Sequence, residues 1–159
     1  MTNSDRATAN AVSAWKSVAD RLDEFVRAAS DDDLETAVAP GRNRVFYIVG
    51  HLVAVHDRML PLLGLGDRLH PEYDAPFLTA PDTHGPTSIS AADLRAAWTE
   101  VNASLTAKIE ALPADEWFDK HASVSDEDFQ KEPLRNRLSV LLSRTNHAAF
   151  HQGQLRLTK

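Results

Sequence analysis

The stretch LRNRLSVLLSRTNHAAFHQGQLRL, residues 134–157, decides the reading of this chain. Leu134, Leu138, Leu141, Leu142, Thr145, Ala148 and Leu155 recur at intervals of three and four, the period of an amphipathic helix with one buried stripe. His147 and His151 stand four apart, so they lie one turn apart on one face, at the edge of that stripe. An edge position in a bundle faces a cleft between neighbouring helices. Two imidazole nitrogens so placed can reach one metal ion, although an isolated HxxxH pair is often simply solvated.

The same period recurs along the chain. Residues 4–29 carry Val12, Trp15, Val18, Ala19, Leu22, Phe25, Val26 and Ala29, with Asn3 or Ser4 as the expected cap. After the break at Pro40-Gly41 a second helix is expected from Asn43 to Leu63, ended or kinked by Pro61. A third runs from an N-cap at Ser90, with Asp93 completing a capping box, to Leu112. Residues 64–89 hold three prolines before Gly85-Pro86 and should form a long irregular connection. Residues 114–133 are acidic and read as irregular, with a short helix near Asp126–Gln130. No strand is required. The pattern predicts an all-α fold, an antiparallel four-helix bundle with a long connection between helices 2 and 3, in one domain spanning 1–159. Trp15, Trp98 and Trp117 are expected in the core.

A third candidate ligand comes from the second helix. His51 lies in the apolar segment IVGHLVAV, and Gly50 before it removes a side chain and would permit close helix approach. Three neutral imidazoles suit Zn, Ni, Fe, Co or Cu better than Mg or Ca, and three protein ligands leave coordination positions open, as catalytic sites do. His56 and Asp57, about 140° and 120° round the helix from His51 in opposite senses, read as solvated or interface positions. His70, His84 and His121 read as surface loop residues. Gln154 could bond a metal-bound water or cap the cleft, and Arg144 could meet an anionic substrate or pair with an acidic side chain. Leu65, Leu69, Tyr73, Phe77 and Leu78 give the long connection enough apolar surface to close over the site or to meet a second subunit.

Composition bounds the rest. The chain has 159 residues, 17 basic and 23 acidic, for a net charge of -6, with no cysteine. No thiolate of its own can act as nucleophile. The charge is spread, without the clustered lysine and arginine of a nucleic-acid footprint. No stretch approaches a membrane span, and the N-terminus has no signal-type apolar run. The expected setting is cytoplasmic, with a small-molecule substrate and neither nucleic acid nor membrane as partner.

Gly50-His51-Leu52 and NHAAFHQGQL (Asn146–Leu155) together resemble the DinB-like (DinB/YfiT) superfamily of metal-dependent bundle proteins, and helix order agrees over nearly the whole chain. The resemblance implies a three-histidine site on His51, His147 and His151 at one end of the bundle, with Zn or Ni as metal, and a homodimer. It also implies a transferase or isomerase activity that uses a low-molecular-weight thiol such as bacillithiol, mycothiol or glutathione. A metal-dependent hydrolase and a non-catalytic, stress-linked metal-binding dimer are the alternative readings. The segment Ser123–His147 looks like a subgroup hallmark without naming a substrate.

Overall fold

The computed structural model describes residues 1–158. Four long helices, α1 (Asn3–Ala28), α3 (Val45–Leu62), α4 (Ala91–Ala111) and α6 (Arg137–Arg156), form the bundle, with short helices α2 (Asp31–Glu35) and α5 (Asp126–Lys131) between them. No strand occurs among the described residues; two isolated bridges, Ala37 with Arg44 and Lys120 with Asn136, pin loop ends. Local sequence sets the helix starts. Thr2 with Asp5, Ser30 with Asp33 and Ser90 with Asp93 each form a capping box, in which side chain and backbone satisfy one another's open donors. The cap of α1 is thus Thr2, not Asn3 or Ser4. Pro61 is tolerated because it falls in the last turn of α3, which ends one residue later.

The packing fixes the direction of each helix. Leu22 and Val26 of α1 share a core cluster with Val45–Val53 of α3, Leu94–Val101 of α4, and Ala148 and Leu155 of α6. Ala11 and Trp15 pack instead with Met59–Leu63, Leu105, Ile109 and Leu141. Helices α1 and α6 therefore run one way and α3 and α4 the other, two up and two down rather than alternating. Because α3 and α4 are consecutive yet parallel, the chain must return the length of α3, roughly 27 Å, before α4 can start. That is the physical reason for the long connection. All three tryptophans are buried in the core, as the pattern predicts.

The connection is strapped down rather than loose. Asp57, fully buried, accepts from the backbone N–H of Leu69 and His70 and from Arg68 Nε at 2.7, 3.0 and 2.9 Å. Arg68 also grips Asp74 with two bonds of 2.7 Å. Farther on, buried Arg44 at the start of α3 holds Asp82 at 2.8 Å. The solvated or interface reading of Asp57 is therefore wrong: its carboxylate is the anchor of a loop that the periodicity of α3 does not reveal. His56 is also buried, at 1% exposure. The α6 stripe needs a correction as well. The helix begins at Arg137, and Leu134 and Leu142 are exposed at 74% and 46%. Only Leu141, Thr145, Ala148 and Leu155 are fully buried.

Candidate metal centre

His51 of α3 and His147 and His151 of α6 meet at the mouth of a cleft of about 200 Å³ between the start of α3 and the returning connection. His147 Nε2 lies 3.2 Å from His51 Nε2 and 3.1 Å from His151 Nε2. The outer nitrogens decide what these contacts are. His51 Nδ1 lies 3.0 Å from the carbonyl oxygen of Phe77, which can only accept, so Nδ1 carries the proton and Nε2 a bare lone pair. His151 Nδ1 lies 2.7 Å from Gln154 Oε1 and has the same assignment. Neither of these Nε2 atoms can donate, so His147 Nε2 faces two lone pairs and, with at most one proton, can hydrogen-bond only one of them well. Tetrahedral ligation at a metal–nitrogen distance of about 2.05 Å puts ligand nitrogens roughly 3.3 Å apart. Both contacts of His147 match that spacing within a few tenths of an ångström, and the three ligand atoms all lie within 4.8 Å of one another, so the residues present fit a cation held among them.

Electrostatics agree with the geometry. Burial, then the charges of His151, His51 and Arg144, push His147 down to about 4, and burial is also the leading cause that lowers His151. Both are neutral near pH 7, the state a metal ligand requires. A ligating histidine is held in orientation by what its other nitrogen meets. The backbone carbonyl of Phe77 serves His51 and the amide of Gln154 serves His151, whereas His147 Nδ1 is buried with no hydrogen-bond partner among the described residues.

What sequence reasoning missed is the backbone carbonyl of Phe77 behind His51, although the ring was among those expected to close over the site. Phe77 stands in a single π-type turn, Ala75–Thr79, of the connection. A backbone carbonyl leaves no signature in the sequence, although Gly50 did carry one. A Cβ at Gly50 would run into the Phe77 ring, so glycine admits this aromatic rather than another helix. The connection thus closes over the site, with Phe77 and Leu78 lining the cleft beside Asn43, Tyr47 and Ile48. Tyr47 ties the rim by donating its hydroxyl to the Ala80 carbonyl at 2.7 Å.

Matching the whole chain against family descriptions gives the DinB superfamily over residues 14–155. The chain belongs to the DinB superfamily. No curated protein matches it.

The other histidines of this DinB-superfamily chain are not brought into the cluster. His56 Nδ1 is 2.7 Å from Asn102 Oδ1, whose Nδ2 donates to the Trp98 carbonyl, so His56 is a neutral donor held between Trp15 and Trp98. Burial first of all lowers it to about 4. His70 bonds Glu72 and Glu100 at the surface. Gln154 holds His151, the role nearest to the cleft-capping one expected of it. Arg144, one turn before His147, has no carboxylate partner among the described residues. No helix is long and apolar enough to cross a membrane.

Proposed function

We propose that this chain holds one divalent transition metal, zinc or nickel, on His51, His147 and His151, and uses it in thiol-dependent S-transfer to a small electrophile. The observation that carries the reading is the convergence of three imidazoles, with His147 Nε2 3.2 and 3.1 Å from the Nε2 atoms of His51 and His151, whose rings are fixed by acceptors behind. A divalent cation held by these three imidazoles would supply Lewis acidity that lowers the pKa of a thiol brought to it. In the reaction the thiol gives up its proton to solvent water, a sulfur–carbon bond forms, and the electrophile's leaving group departs with its electron pair. The protein's own part is to orient the imidazoles and to shield the cleft with Phe77 and Leu78. With no cysteine in the chain, the nucleophilic sulfur has to come from a cofactor. Among the described residues no aspartate or glutamate lines the cleft, so an attacking water would lack a carboxylate base there, which favours thiol transfer over hydrolysis.

Elemental analysis of purified protein tests the reading, with the His51→Ala/His147→Ala variant alongside. About one zinc or nickel per chain, lost in the variant, is expected, together with metal-dependent loss of monochlorobimane when glutathione, mycothiol or bacillithiol is added. No metal after incubation with either ion would overturn the metal site. Bound metal with no turnover of any thiol and electrophile pair would overturn the transferase reading. Chelation should leave helical circular dichroism unchanged, because the histidines sit at the rim and the apolar clusters hold the bundle.

A further inference from the structure

A second cleft, of about 330 Å³, lies at the opposite end of the seam between α3 and α6. Leu62 of α3 and Val140 give it an apolar wall. Arg135, Arg144, Ser139, Ser143 and His121 supply its polar groups, and no carboxylate lines it. This is unexpected in a chain of net charge -6. Arg44, Arg68, Arg95 and Arg137, which are likewise buried or partly buried, pair with carboxylates at 2.7–3.0 Å. Arg144 is partly buried and has no ion pair or hydrogen bond among the described residues. Arg135 makes only a 4.0 Å contact with Asp128. The hydroxyls of Ser139 and Ser143, one helical turn apart, make no hydrogen bond to protein among the described residues. Nδ1 of His121 accepts from the backbone N–H of Ser123 at 3.3 Å, which leaves Nε2 to donate.

A half-buried guanidinium loses hydration that nothing in the protein replaces. Its planar fork matches a carboxylate or phosphate, and hydroxyls beside it supply further donors. Along α6, Ser139, Ser143 and Arg144 precede His147 by eight, four and three residues, or roughly 5–12 Å of helix rise.

We propose that this cleft is an anion subsite of the same functional site: Arg144, with Arg135, Ser139 and Ser143, binds a carboxylate or phosphate of the small molecule whose reacting end meets the histidine cluster. The apolar wall suits a short hydrocarbon arm between the two. The placement of the reacting end rests on the metal reading above; the anion site itself does not.

The test uses metal-free, full-length protein, so that its failure and that of the metal reading are separable. Backbone amide resonances are followed during titration with inorganic phosphate and, separately, hexanoate, against chloride at equal ionic strength. Saturable shifts centred on residues 139–144 are expected from at least one probe, and which probe acts tells phosphate from carboxylate. Arg144→Gln should weaken that binding roughly ten- to hundred-fold, as loss of a charge-assisted hydrogen bond does. Arg144→Lys should recover part of it, and His51→Ala should leave it unchanged. Shifts no larger than chloride produces, or equal binding in Arg144→Gln with an unchanged spectrum elsewhere, would overturn the proposal.

Discussion

Replacing Gly50 with alanine sets two effects of opposite sign against each other. Helix propensity alone favours alanine in the middle of α3 by about 1 kcal/mol. Packing opposes it. A Cβ there would stand 2.6 Å from Phe77 Cδ1 and closer still to Cζ and Cε1, against about 3.5–4.0 Å for relaxed carbon contacts. The ring has to retreat by about 1 Å, the shortfall against that relaxed distance. It is 1% exposed and is boxed in by the rings of Phe46, Tyr47 and Tyr73 at 5.9, 5.8 and 5.4 Å. Overpacking costs about 1–3 kcal/mol, and a ring boxed in on three sides belongs to the upper half of that range, so the clash wins and the net loss should be roughly 1–2 kcal/mol. The damage also reaches the site, because the backbone of Phe77 carries the carbonyl that orients His51. Loss of such an outer partner typically weakens metal affinity 10–100-fold. Urea unfolding of the metal-free protein gives the first number, and zinc competition against a chromophoric chelator gives the second. Phe77→Leu in the Gly50→Ala background should recover part of the stability. A Gly50→Ala protein more stable than the parent, with unchanged zinc affinity, would show that Phe77 yields freely and that the account of Gly50 is wrong.

Two further outcomes are expected. Asp57→Ala leaves Arg68 and two backbone N–H groups without their acceptor and should cost about 3 kcal/mol in urea unfolding, with zinc affinity falling too as the connection carrying Phe77 loosens. A parent-like midpoint and affinity would contradict the anchoring role. His56 should contribute a defined share of the acid limb of stability, beside the share of His147, which is lowered to a similar value. Its folded pKa of about 4 lies below the ordinary 6.5, so between those values the unfolded chain binds a proton that the native state refuses. Stability is therefore full above pH 6.5 and falls as pH drops toward 4, by about 3 kcal/mol for a shift of this size. His56→Gln keeps a donor for Asn102 and should flatten that limb between pH 6.5 and 4; an unchanged slope would assign the acid sensitivity elsewhere.

Much of this was legible in the sequence, because helices and their caps are local. The stripes of α1, α3 and α4, the cap at Ser90, the three buried tryptophans, the short helix near residue 126 and the HxxxH face all follow from spacing and residue type. The pairing of His51 with the two α6 histidines was a chemical guess that needed the fold to bring two distant helices together. What misled were residues whose partners lie far along the chain. Asp57 looked like a surface carboxylate because its three donors come from residues 68–70. Leu134 and Leu142 looked like core because periodicity cannot say how wide a helix's covered face is.

Sequence by itself therefore determined the helical class, the helix ends and which side chains could ligate a metal, since these depend on contacts within a turn or two. Only tertiary structure decided helix direction, the burial of Asp57 and His56, the carbonyl of Phe77 behind His51 and the missing partner of Arg144. Each of these is a relation between segments far apart in the chain, made through backbone groups or through the absence of a neighbour, and neither leaves a periodic mark on the order of residues.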